Sequence, residues 1–224
     1  MSRCCIKNVL LIVVLATGQL VGMDNRSTLK WPKDSRYAIA VLTRYQLLVV
    51  RKDNRSKVTL HEACDYGNES QVKKYINDQS YNLNKRNSFG YTPLYAACSE
   101  GYLPIVEQLL ATGRVNVNLL RGPIRGDTSF DSPLHVAVCR GHIEVAKLLV
   151  SSGALLDMPN EAGGTPLHYA GALGDRDNRI NTTKILLEAG ANPNLTDEED
   201  RTAFWQACDN GFIEIVKLLL ERTL

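Results

Sequence analysis

The chain predicts an all-α solenoid of about five stacked helix-turn-helix repeats, and three features of its 224 residues carry that prediction. The first is a recurring phrase. Its fullest copies are Ser132-Pro133-Leu134-His135 and Thr165-Pro166-Leu167-His168, and weaker ones are Thr92-Pro93-Leu94-Tyr95, Val58-Thr59-Leu60-His61 and Thr202-Ala203-Phe204-Trp205. The second is punctuation: nine residues after the first slot of each phrase stands a glycine, at 67, 101, 141, 174 and 211. The third is spacing. Slots 58, 92, 132, 165 and 202 lie 34, 40, 33 and 37 residues apart, and self-similarity at a period near ~33 marks a repeat architecture.

Each element follows from its residues. Pro93, Pro133 and Pro166 fall where the first turn of a helix has no internal use for an N–H, so they start helices rather than break them. The Ser or Thr before them can cap the exposed amides. Ala96, Ala97, Ala137, Ala170 and Ala207 keep this first helix slim, so that a neighbour can approach closely. The glycine then ends it in a conformation that other residues adopt at a cost. Next, Ile143, Val145, Ala146, Leu148 and Leu149 recur at helical spacing, as do Ile213, Ile215, Val216, Leu218 and Leu219, and so predict a second, amphipathic helix. Gly113, Gly153 and Gly190 close it and lead into a polar connecting finger. A single unit of this kind cannot bury its own apolar face, so the copies must stack.

On these motifs residues 56–224 resemble an ankyrin-repeat array, with repeats near 57–90, 91–130, 131–163, 164–200 and 201–224. The resemblance implies non-catalytic binding of a partner protein through the fingers and the concave, first-helix face. It also implies a structural role, hydrogen-bonding within the repeat turn, for His61, His135 and His168.

Two segments precede the array. In residues 1–22, Arg3 and Lys7 precede the apolar run Val9–Ala16, and small residues at 16 and 18 follow, which is the layout of a signal peptide. The run is shorter than the ~20 residues a membrane-spanning helix needs. Residues 23–55 read as a linker and a capping helix: Pro32 starts an apolar-rich stretch over 37–50 that would cover the open end of the first repeat. The last repeat shows no comparable device, so its outer face is expected to be partly bare or to form an interaction edge.

Cysteine usage constrains the compartment. Cys64, Cys98 and Cys208 share one slot of the first helix, and Cys139 lies one residue further on. Packed helices sit ~8–10 Å apart, whereas a disulfide needs Cα atoms within ~7 Å. These thiols are expected to be small core hydrophobes in a reducing place. A leader that points outward and an array built for reduction are both satisfied by a bacterial protein exported and then delivered into a host cytosol. If Met23 is the true start, the protein is cytoplasmic instead. The triplets at Asn25, Asn54, Asn68, Asn181 and Asn194 match a glycan-acceptor pattern but read as chance in an Asn-rich chain.

Chemistry is sparse. His61, His135 and His168 occur one per repeat, without the short spacing of a zinc site. No phosphate loop or hydrolase elbow is present. No catalytic residue, cofactor or metal is expected, and no small-molecule substrate. The 26 basic and 24 acidic residues are interspersed, at net charge +2, so no nucleic-acid partner is expected.

Departures from the pattern point to the contact surface. The 40-residue spacing places extra residues in the finger Asn118–Phe130, where Leu120, Arg121, Arg125 and Phe130 are candidate partner-binding residues, because arginine and aromatics dominate interfaces. A passive insertion is the alternative, since loop lengthening costs little. Repeat four has four extra residues within Asp175–Asn181, read as a tolerated insertion in the turn between its helices. Trp205 either packs the last repeat or anchors a partner. The alternatives to a plain binding module are a substrate-recruiting subunit of a separate enzyme and, if the leader stays attached, a membrane-tethered adaptor.

Overall fold

The structure is a computed structural model, and it describes residues 58–122, 131–170 and 176–223. The signal-peptide segment 1–22 and the capping helix expected within 23–55 lie outside the described residues. Ten helices follow in pairs: α1 (Leu60–Asp65) and α2 (Glu69–Asn77), α3 (Pro93–Glu100) and α4 (Leu103–Ala111), α5 (Pro133–Cys139) and α6 (Ile143–Ser151), α7 (Pro166–Tyr169) and α8 (Arg176–Glu188), α9 (Ala203–Asp209) and α10 (Ile213–Thr223). The first helices stack on one another in chain order, and so do the second helices. Among the described residues no strand forms; a single antiparallel bridge joins Thr196 and Thr202.

The caps form as the phrase predicts. The hydroxyl of Thr92 accepts from the amide of Tyr95 at 3.1 Å, that of Ser132 from His135 at 3.3 Å and that of Thr202 from Trp205 at 3.2 Å. The first repeat differs. Val58 has no acceptor, so the cap moves one residue along to Thr59, which exchanges hydrogen bonds with Glu62 in a capping box. Gly101 shows why glycine ends the first helix. It sits at φ +75°, and a Cβ there would lie 2.6 Å from Nδ1 of His142. That imidazole in turn donates from Nε2 to the carbonyl of Ser99 at 3.1 Å. A side chain at 101 would therefore be strained and would clash with the next repeat.

One core runs the length of the array. It takes Leu60, Leu94, Leu134 and Leu167 from the first helices and Val72, Leu109, Leu149, Leu186 and Leu219 from the second. Repeat four corrects a sequence expectation. Its extra residues do not loop out: α8 has 13 residues where α2, α4 and α6 have 9, so the insertion becomes about one added helical turn. Within α8, Thr182 and Thr183 are fully buried where α6 has Val145 and Ala146. Their hydroxyls donate back to the carbonyls of Asn178 and Arg179 at 2.8–3.1 Å, which satisfies the polar atoms inside the stack.

Candidate functional site

The fingers project from one edge of the stack, and each is closed by a backbone bond at its base. Asn87 donates to Tyr91 at 2.9 Å, Arg121 to Asp131 at 2.9 Å, Asn160 to Gly164 at 2.9 Å and Asp197 to Arg201 at 3.0 Å. These bonds put Asn87, Arg121, Asn160 and Asp197 in one slot. They enclose short tips at 88–90, 161–163 and 198–200, against a long one at 122–130. Neighbouring fingers are tied together. Gly122 N–H donates to the Gly90 carbonyl at 2.8 Å, Asn160 Nδ2 to Asp131 Oδ1 at 3.0 Å and Glu198 N–H to the Ala162 carbonyl at 3.1 Å. The four fingers therefore form a continuous row.

Histidines fix the row to the helices. In α5, Nδ1 of His135 accepts from the amide of Ser132 at 3.1 Å, so it carries no proton, and Nε2 donates to the Gly164 carbonyl at 3.0 Å. His168 repeats this with the Thr165 amide and the Arg201 carbonyl at 3.1 and 3.0 Å. His61 donates from Nε2 to the Lys85 carbonyl at 2.7 Å. Burial lowers the pKa of His61 and His135 below the ordinary value of 6.5, outweighing the backbone bonds and, at His135, the nearby Asp131 carboxylate. Each is a neutral strut at neutral pH. Among the described residues no cluster of His, Cys, Asp or Glu is arranged to hold a metal ion.

Repeat two replaces the strut with aromatics. Tyr95 stacks on Tyr91 at 4.9 Å and 17°, Phe89 leans on Tyr91 at 6.3 Å, and the Arg121 guanidinium lies 5.4 Å from the Tyr91 ring centre. Burial pushes the Tyr95 phenol up to about 12, although Arg121 donates a hydrogen bond to it. The outermost ring of this stack, Phe89, is 59 % exposed at the tip of the first finger.

The sequence-predicted contact residues do not all gather at the surface. Arg121 is 6 % exposed, because its place at the finger base turns the guanidinium inward onto Tyr91, so it presents no charge outward. The Leu120 side chain is half-buried, and its carbonyl accepts from Arg86 at 2.7 Å. Arg125 and Phe130 lie outside the described residues. Trp205 is 47 % exposed on α9 with Arg201 over its ring at 5.5 Å. Phe89 was missed by sequence reasoning. Its signal was available: the tip slot before the finger turn reads Phe89, Ala162 and Glu199, and only one of the three is a large apolar residue.

The cysteines divide by position. Cys64 and Cys98 are buried, Cys139 is half-buried and Cys208 is exposed, all as free thiols. The expectation of small core residues holds for the first two, and burial raises both thiols well above the usual range. Cys208 departs from it because, among the described residues, no helix stacks on the outer side of α9. No helix among the described residues is long and apolar enough to cross a membrane.

Slim paired helices, a continuous finger row and histidine struts between them define a helical repeat scaffold. The chain belongs to the ankyrin-repeat family: the profile described as Ankyrin repeats (3 copies) matches residues 60–160, 118–197 and 155–223. Ankyrin repeats generally mediate protein–protein interaction. The chain is 35 % identical over 131 residues to the ankyrin repeat protein nuc-2 of Neurospora crassa, which covers 58 % of this chain and 11 % of that protein. It is 31 % identical over 190 residues to the ankyrin repeat protein FPV222 of Fowlpox virus, covering 80 % and 25 %. It is 29 % identical over 196 residues to the nuclear factor NF-kappa-B p105 subunit of Gallus gallus, covering 84 % and 18 %. The chain thus spans a quarter or less of the length of these relatives.

Proposed function

We propose that this chain is a non-catalytic module that binds a partner protein through its finger row and the adjoining first-helix surface. The observation that carries this reading is Phe89. A large ring held at a fixed angle by Tyr91 and left 59 % exposed at a finger tip is a preorganised anchor of the kind that dominates protein interfaces. Trp205, with Arg201 over its ring, is a second anchor, on the first-helix surface. Affinity capture with the full chain, compared with Phe89→Ala and Trp205→Ala chains of unchanged helical content, tests it. Each substitution should weaken capture by about 30-fold, or ~2 kcal/mol. Equal capture by all three would remove the finger row from the proposed interface.

The partner, and any catalytic subunit for which the array recruits substrate, belong to the same proposal; co-purification of an activity that the pure chain lacks would favour that second role. For localisation we retain export through the leader followed by action in a reducing compartment, supported by the layout of residues 1–22 and by four unpaired thiols. N-terminal sequencing of the mature protein separates the options. A start near Gln19 supports export, a start at Met1 supports a tethered adaptor, and a start at Met23 supports a cytoplasmic protein.

A further inference from the structure

The fifth repeat opens on one side. Compared position by position with the third, Trp205 is exposed where His135 is buried, Cys208 is exposed where Val138 is buried, and Val216 is half-buried where Ala146 is buried. Ile213, just past the turn that joins α9 to α10, is 61 % exposed. In the third repeat these positions lie on the side that the fourth covers, with α7 packed on α5 and α8 on α6. Among the described residues no further helix does the same for α9 and α10. The outer face of a terminal repeat is ordinarily polar, which keeps an array soluble. Here, among the described positions of α9 and α10 that open in this way, Asp209 alone carries charge.

Further charge gathers at one end of this face. Trp205 stands in the first turn of α9, beside the fourth finger, with Arg201 over its ring at 5.5 Å. That finger reads Asp197-Glu198-Glu199-Asp200. Arg201 engages Asp197 and Glu199 at 2.9 and 2.8 Å, and Glu198 and Asp200 are exposed beyond that pair. Cys208 and Ile213 lie at the other end, on either side of the turn. A second copy of the chain would present the same acids, so the face does not complement itself. Exposed charges act over ~8 Å at physiological ionic strength, so the finger governs only the near end of whatever covers the face.

Resting on the protein-binding reading above, we propose that the outer face of the fifth repeat takes an amphipathic helix of a partner protein whose finger-side end is basic. A helix is the element that covers the equivalent surface inside the array. α10 has 11 residues, and at ~1.5 Å per residue about three turns of partner helix match its length. The apolar stripe of that helix packs on Trp205, Cys208 and Ile213. Lys or Arg at its finger-side end meets Glu198 and Asp200. Burial of the stripe supplies most of the affinity, and the acidic finger sets which way the helix points.

The test is selection of a display library of single helices of about fourteen residues, randomised on one face, against the full chain, followed by affinity measurements on the synthesised winners. The expected winners carry an apolar stripe with Lys or Arg gathered at one end. At about ten times their Kd they should slow maleimide labelling of Cys208 about tenfold. Ile213→Lys should weaken them about 30-fold. Glu198→Lys should weaken them about 5-fold, and that loss should be recovered by reversing charge at the basic end of the peptide. Both side chains are exposed, so circular dichroism should be unchanged. Winners without a basic end overturn the inference. Winners that are lost with Phe89→Ala and leave Cys208 labelling unchanged dock on the fingers alone; they overturn it too and leave the protein-binding reading standing. A free chain whose Cys208 labels slowly covers the face itself, and a dimer in sedimentation that Ile213→Lys dissolves makes the occupant a second copy; either result overturns the inference. Failure to select any winner also overturns it, while the capture experiment above decides the protein-binding reading separately.

Discussion

The third and fifth repeats are built from nearly the same sentence, yet equivalent positions have different fates. His135 is 1 % exposed and Trp205 in the same slot is 47 % exposed; Val138 is 1 % exposed and its counterpart Cys208 is open to solvent. Leu149 and Leu219, at equivalent positions of the second helices, are buried alike. That position is covered in both repeats. Burial between pairs is supplied by the neighbour, and the described residues stack a neighbour on only one side of the fifth repeat. In a quasi-one-dimensional array, stability per module depends on how many neighbours a module has.

Four measurements break or sharpen that contrast. The largest expected effect is in thiol labelling. Cys208 should react in the native protein, whereas Cys98 should react at least about a thousandfold more slowly, because exposing it needs an opening of order 4 kcal/mol or more. Peptide-resolved mass spectrometry after a timed maleimide pulse gives the ratio, and similar rates would mean that the fifth repeat is covered or that the interior opens freely. Next, Leu149→Ala should cost about 3 kcal/mol by urea denaturation, while Leu220→Ala, at 43 % exposure, should fall within about 0.5 kcal/mol of the parent.

The strut comes third. His135→Ala removes the acceptor for the buried Ser132 amide and the donor to Gly164, and should cost about 2 kcal/mol; Trp205→Ala in the same slot should cost less than half as much. The smallest effect is in pH. Burial holds His61 and His135 below 6.5 in the folded state, so the unfolded chain binds protons first as pH falls. Their contribution is complete above about pH 7.5 and is lost as pH drops through 6.5 toward their lowered folded values. A urea midpoint that is flat from pH 8 to 7 and then falls by pH 5 is expected, with a shallower fall in His135→Ala. The Asp197 carboxyl, held below its ordinary 3.8 by Arg201 despite burial, acts only at lower pH and does not overlap this window.

The repeat itself was legible in the sequence because its signals are local. Proline at the first turn, Ser or Thr before it and glycine after it each act within one turn of helix. What was not legible depended on register between segments. Arg121 reads as a surface charge until the bond to Asp131 places it at a finger base, facing Tyr91. The extra residues of repeat four read as an insertion in the turn because spacing counts added residues without saying whether they coil or wind; the structure places Arg176 onward in helix, and Thr182 and Thr183 hide their hydroxyls by bonding backward. Phe89 lay in a finger that looked ordinary by length, and only alignment of the tip slots against Ala162 and Glu199 singles it out.

Tyr95 stands where the other interior repeats carry an imidazole, and it is braced by the guanidinium of Arg121, a group that stays charged at every physiological pH. Acidification titrates the joints at His61 and His135 and passes over the one between them. The second finger is thus braced by a phenol and a guanidinium, whose charge states do not change on mild acidification, where the first and third fingers are braced by imidazoles.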